Sequence, residues 1–330
     1  MTNLETRPQE HVCTTGPGTS AVELVEPREV PLGGPRAMTV RRTLPTRARS
    51  LIGPFCFADH YGPDDISVTG GMDVAPHPHT GLQTVTWLFE GKVLHQDALG
   101  SVQTIEPGQL NLMTAGHGIC HSEEGTLKRF PGQGRIAGVQ LWTAMPDADR
   151  QGERDFEHVA EVPTVELDAA TVQVFMGTLA GVTSPARAYS PLVAAQVDIP
   201  AGATVHLPVD PAFEHGILVD DGDLTAAGTE VPASWLAYLA PGREEIVLVA
   251  GEHPVRAVLF GGTPFGEQIL MWWNFVGRTH DEVVEARRLW QAAIAGDAEG
   301  VARFGRVTGY DGPDLPAPDL PNVRLRPRDR

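Results

Sequence analysis

The sequence predicts an all-β chain, two jelly-roll barrels in tandem with a short C-terminal helix packed on the body, and three observations carry that prediction. Short apolar runs recur at intervals of about 8–12 residues, the spacing of strands in sandwiches and barrels. The 36 glycines and 28 prolines are dispersed between those runs as turn residues. The phrase Ile105-Glu106-Pro107-Gly108 returns as Ile199-Pro200-Ala201-Gly202 and as Leu239-Ala240-Pro241-Gly242, which points to a duplicated β unit. A length of 330 residues also exceeds what one core usually fills, so two domains of roughly 150 residues each are expected.

In chain order, residues 1–35 carry Gly16-Pro17-Gly18 and Gly33-Gly34-Pro35 with weak periodicity and read as a partly ordered arm. Residues 36–150 form the first barrel. Its strands are expected at Thr84–Phe89, Lys92–Asp97, Val102–Ile105, Gln109–Thr114 and Ile136–Trp142, joined by Glu90-Gly91, Ala98-Leu99-Gly100 and Glu106-Pro107-Gly108. A polar run from Met145 to Asp155 marks the join. Residues 151–310 form the second barrel and the helix, with strands at Val172–Met176, Leu192–Ile199, Thr204–Leu207, His215–Val219, Ser234–Leu239, Glu245–Val249 and Val255–Phe260. Thr279-His280-Asp281-Glu282 is a capping box that opens a helix over about 280–295, with Val283, Ala286, Trp290 and Ile294 on its apolar stripe. Residues 311–330 hold five prolines and read as an extended tail.

Composition excludes several function classes. With 25 Lys plus Arg against 42 Asp plus Glu, the net charge of −17 repels phosphate backbones and anionic leaflets, which argues against direct nucleic-acid or membrane binding. No window approaches the ~18 apolar residues of a membrane span, and the N-terminus lacks a basic start followed by an apolar stretch, so a cytoplasmic protein is expected. Cys13, Cys56 and Cys120 are odd in number and widely spaced, which argues against a disulfide framework or a thiolate zinc site. The histidines carry the positive signal: His60, His77, His79, His95, His117 and His121 crowd six of the twelve into 62 residues.

His77-Pro78-His79 and His121-Ser122-Glu123 are both i, i+2 pairs, and in extended backbone such pairs project from one face. If the two strand ends are neighbours inside a barrel, three imidazoles and a carboxylate converge. That donor set suits one divalent transition ion, Fe(II), Mn(II), Ni(II), Cu(II) or Zn(II), with a position left for water, substrate or dioxygen. One buried histidine pair is more often satisfied by backbone or carboxylate than by metal; two pairs reverse the balance. Pro78 cannot donate to a ladder, so this segment belongs at a sheet edge or strand end. Cys120 alternates away from His121 and reads as a small core residue, while His60, His95 and His117 rank behind the four ligand candidates.

The run His77-Pro78-His79-Thr80-Gly81-Leu82-Gln83-Thr84, followed by His95-Gln96-Asp97 and by Met113-Thr114-Ala115-Gly116-His117-Gly118-Ile119-Cys120-His121-Ser122-Glu123, resembles the pirin family of the cupin superfamily. Phe260-Gly261-Gly262-Thr263-Pro264-Phe265-Gly266 and Trp273-Asn274-Phe275-Val276 are similar to its C-terminal segment, and the resemblance covers about 45–310. It implies a bicupin whose N-terminal barrel binds one metal, usually iron, through His77, His79, His121 and Glu123. Members are linked to quercetin 2,3-dioxygenase activity and, in animals, to redox-dependent transcriptional co-regulation. Three positions depart from the pattern. Gln83 stands where Glu is usual, Thr80 replaces a common Arg, and His117 replaces the Arg of Ala-Gly-Arg-Gly; the loss of two cations near the mouth bears on substrate preference. The second barrel holds His206 and His215 but no His-x-His or His-x-Glu, so one metal per chain is expected.

The first functional expectation is a dioxygenase acting with dioxygen on a flavonol or another enolic or phenolic small molecule, with Glu123 as the catalytic base. The alternative is a non-enzymatic protein in which iron redox state alters the surface a protein partner reads. A storage-like double barrel with structural histidines is the third. A monomer is expected in each case.

Overall fold

The computed structural model describes residues 11–13, 22–32 and 38–325; Gly16-Pro17-Gly18, Gly33-Gly34-Pro35 and the last five residues, Pro327 among them, lie outside the described residues. Two jelly-roll barrels follow each other along the chain, each a large sheet facing a small one. In the first, the large sheet has seven strands in the order Asp155–Val159, Leu110–Thr114, Leu82–Glu90, Arg135–Ala144, Phe55–Asp65, Met38–Leu44 and Arg28–Leu32. Its small sheet has the order Met72–His79, Ile119–Gly125, Val93–Asp97 and Val102–Ile105. The second barrel pairs an eight-stranded sheet, whose central strands are Leu192–Ile199, Val255–Gly262 and Glu214–Asp221, with a four-stranded sheet containing Thr204–Pro208 and Glu245–Ala250.

The outer faces of the two large sheets pack against each other. Val85, Trp87, Leu112, Val139 and Leu141 of the first barrel share one buried cluster with Phe175, Ala194, Leu218, Val258 and Phe260 of the second. Trp87 stacks on Phe175 at 4.5 Å and donates its indole N–H to Gln196 at 2.7 Å. The N-terminal arm ties the halves further. Glu23–Val25 is the last strand of the second barrel's large sheet, paired with Leu236–Leu239, and a few residues later Arg28–Leu32 enters the first barrel. The strand Asp155–Val159, beyond the polar join, pairs back onto Leu110–Thr114 of the first.

Thr279 caps the helix His280–Ile294 by accepting from the Glu282 N–H, as the capping box predicts. Val283, Ala286, Leu289, Trp290 and Ala293 form its buried face, packed with Trp272, Trp273, Phe275 and Cys120 on the outside of the metal-candidate sheet. A second helix absent from the sequence reading, Ala298–Phe304, follows with Asp297 as its cap. Residues 311–325 then run without helix or strand along the body. Leu315 N–H donates to Pro76 O, Trp290 Nε1–H to Leu315 O and Ala317 N–H to the Gln291 side chain.

Candidate metal centre

Backbone geometry brings the two histidine pairs together. Met72–His79 is the edge strand of the small sheet, where Pro76 and Pro78 leave no ladder bond unmade. It pairs antiparallel with Ile119–Gly125, setting His121 directly opposite His77 and Ile119 opposite His79. The register then slips by one residue between His121 and Glu123, a β-bulge that places Ala75 and Pro76 against Ser122. The extra residue frees Ala75 O to accept from His77 Nδ1 at 2.8 Å.

His77, His79 and His121 are fully buried, and one nitrogen from each lies within 4.8 Å of the others. Their ring centres are 4.3–5.0 Å apart. Hydrogen bonding fixes the tautomers of two of them. The bond to Ala75 O requires His77 Nδ1 to carry the proton, so Nε2 presents a lone pair, and no partner meets it. On the other strand Asp97 Oδ2 accepts from His95 Nε2 at 3.1 Å, so His95 Nδ1 can accept from His121 Nδ1 at 3.3 Å, again leaving His121 Nε2 as an unpartnered lone pair. His79 faces the Asn274 backbone, and neither of its ring nitrogens makes a hydrogen bond of normal geometry.

Burial, reinforced by the neighbouring imidazoles, holds His79 and His121 well below the ordinary histidine range, and burial does the same to His77. All three are therefore neutral, the ligand form of imidazole. Convergent, dry, unprotonated nitrogens without protein partners are costly unless something else binds them. The donor set fits a divalent transition ion.

Glu123 lies beside this trio and not within it. Its carboxylate, 1% exposed, lies 3.4 Å from Thr86 Oγ1, whose single hydroxyl proton faces both Glu123 and, at 2.9 Å, Gln140 Oε1. Its charge, added to burial, pushes the Tyr61 hydroxyl upward. An aromatic wall closes the other side: Trp142 meets His79 edge-on at 5.0 Å and stacks on Phe57 at 3.9 Å, and Phe156 stacks on His95 at 4.4 Å.

The remaining sequence candidates separate by location. His95 touches the trio and orients it. His60 lies at the barrel–barrel interface, 2.7 Å from Asp220, and His117 is held by Gly152 O at 3.0 Å in a turn. Gln83 bridges the barrels, donating to Thr114 and to Arg187 O, both at 3.0 Å, and Thr80 pairs with Phe275 and Val276. Cys120 is core, its thiol pushed by burial up to about 12, and Cys56 behaves alike. Sequence reasoning passed over Asp97 and Thr86; the His95-x-Asp97 spacing was the available signal for the first.

Two jelly-roll barrels in one chain, with a three-imidazole cluster inside the first and, among the described residues, no second such group, define a bicupin with one candidate metal centre. Residues 37–143 match the pirin family and 194–296 match the pirin C-terminal cupin domain. The chain belongs to the pirin family. It is 42% identical, over 91% of both chains, to a Pseudomonas aeruginosa protein that carries a provisional quercetin 2,3-dioxygenase name. It is 36% identical to a pirin-like protein of Caulobacter vibrioides, over 77% of this chain and 88% of that one. A crystal structure titled quercetin 2,3-dioxygenase from Acinetobacter baumannii superposes with a TM-score of 0.84 at 38% identity, covering 92% of this chain and 98% of that one.

Proposed function

We propose that this pirin-family bicupin is a metal-dependent dioxygenase acting on a flavonol or a related enolic or phenolic small molecule. The observation that carries the reading is the convergence of three buried, neutral imidazoles with unpartnered nitrogens inside one barrel. The likeness to two proteins bearing the quercetin 2,3-dioxygenase name supports the substrate class. His77, His79 and His121 would hold one divalent ion, Fe(II) first among the candidates, and Glu123 would join them by turning from Thr86. The bound ion would supply Lewis acidity toward an enol oxygen and a redox partner for dioxygen.

The chain's own residues supply the rest. His95 and Asp97 keep His121 in the tautomer with its Nε2 lone pair facing the other imidazoles. The Glu123 carboxylate, 3.4 Å from Thr86 Oγ1, would take the enol proton at a carboxylate oxygen. Trp142, backed by Phe57, lies against His79, and Phe156 lies against His95, apolar surface that would limit water at the centre. Oxygen uptake and loss of flavonol absorbance by metal-loaded protein test the proposal. Turnover is expected, reduced at least ~100-fold in His77→Ala. No turnover by loaded protein, or equal turnover by the variant, overturns it.

A further inference from the structure

Thr86 has one hydroxyl proton and two acceptors within reach of it, and which of them takes it bears on Glu123. Thr86 and Gln140 stand directly opposite each other on the neighbouring strands Leu82–Glu90 and Arg135–Ala144. Their chain neighbours Val85, Trp87, Val139 and Leu141 belong to the cluster between the barrels, so Thr86 and Gln140 project to the other face, into the first barrel. Glu123 approaches from the facing small sheet, its carboxylate 3.4 Å from Thr86 Oγ1.

The other acceptors on this row of the sheet are engaged elsewhere. Asp59, opposite Gln140, accepts from Arg42 Nε at 2.6 Å and from Arg42 Nη2 at 2.8 Å. Asn111, on the other side of Thr86, has its Oδ1 2.7 Å from His158 Nδ1. Gln140 is fully buried, with Oε1 2.9 Å from Thr86 Oγ1 and Nε2 without a hydrogen-bond partner. In this orientation the shorter contact takes the Thr86 proton, and Glu123 is not held by it. Turned over, the amide would present an Nε2–H to Thr86 Oγ1, and the hydroxyl proton would go to Glu123. The pair therefore has two complete arrangements, one that releases the carboxylate from Thr86 and one that ties it there.

We propose that Gln140 is a positioning residue for Glu123: by taking the Thr86 proton on Oε1 it lets the carboxylate turn toward His77, His79 and His121, and with its amide reversed it keeps the carboxylate at Thr86. This control rests on the function proposed above, in which those three imidazoles and Glu123 share one divalent ion.

Chelator competition on the full-length protein loaded with cobalt(II), with the ligand-field absorbance followed in parallel, tests this. In Gln140→Leu the Thr86 hydroxyl is left with Glu123 as its acceptor, and the ion is expected to be lost about 10-fold more readily, with a displaced absorption band. Adding Thr86→Val removes the hydroxyl that holds Glu123, and wild-type retention and band position are expected to return. A purely structural role for Gln140 would make the double variant worse than the single one. Thr86→Val alone, which exchanges only a hydroxyl for a methyl, is expected to keep the ion as tightly as wild type, and it tests the point whether or not Gln140→Leu folds. Unchanged retention in Gln140→Leu, no recovery in the double variant, or weaker retention in Thr86→Val overturns the proposal and leaves the metal centre standing. Failure of the wild-type protein to take up cobalt(II), or equal uptake by His77→Ala, overturns both.

Discussion

His121 presents a free Nε2 because His95 and Asp97 satisfy its other nitrogen. Outer partners of this kind typically change metal affinity by about 10–100-fold. His95→Ala is therefore expected to weaken metal retention by about that factor in competition with a chelator, whereas His77→Ala should abolish it; unchanged retention in His95→Ala would sink the orienting role. His215 gives a pH prediction. Its folded pKa of about 4 lies below the unfolded value near 6.5, so the unfolded chain binds more protons between those values, and stability falls as pH drops through that window. The loss approaches about 3 kcal/mol near pH 4, and His215→Leu should flatten the melting-temperature profile between pH 6.5 and 4. At this scale the convergent histidines were legible because i, i+2 spacing survives any register. Glu123 shares that spacing, yet the bulge between it and His121, invisible in the sequence, accompanies its position beside Thr86.

The edge strand Met72–His79 is exposed to slippage on one side and is covered there by Tyr310, whose hydroxyl donates to Asp73 at 2.8 Å, and by Leu315 of the proline-rich tail. Removing residues 311–330 is expected to lower stability by on the order of 2–4 kcal/mol, since several buried or half-buried hydrogen bonds go with it. A melting temperature equal to that of the full chain would refute this. Gly81, in the turn after His79, has φ +68°, and a Cβ there would lie 2.5 Å from Val276 O. Gly81→Ala should cost about 2 kcal/mol or more, measured by denaturant unfolding. Twelve of the 26 strands among the described residues, and the capped helix, were readable from periodicity and turn residues. The long strand Phe55–Asp65 was not, because its charged positions are buried. Asp59 is salt-bridged by Arg42 at 2.6 Å and His60 meets Asp220, so the polar–apolar alternation that marks a half-buried strand is absent.

The two barrels share their largest apolar cluster and a buried polar bridge. His60 donates to Asp220, Arg256 pairs with the same carboxylate at 2.7 Å, and Arg41 lies 3.3 Å from the other His60 nitrogen. Burial, with Arg41 nearby, keeps His60 below its ordinary range. Asp220→Ala removes the acceptor of the buried His60 N–H and the counter-charge of the partly exposed Arg256, and should destabilise by about 1–3 kcal/mol. Because the cluster spans both halves, calorimetry should show one unfolding transition for wild type; two resolved transitions would contradict the shared core. The duplicated turn phrases made the two barrels legible, but nothing in them discloses which faces meet.

The strand Glu23–Val25 has a further consequence for how this molecule comes into being. Its partner, Leu236–Leu239, lies more than two hundred residues downstream. During synthesis, with its N-terminal portion emerging first, the second barrel's last strand waits unpaired while the first barrel assembles behind it. The first barrel has all its strands by Val159, whereas the second, whose edge strand precedes the whole of the first barrel in the chain, lacks a complete set until most of the chain has been made.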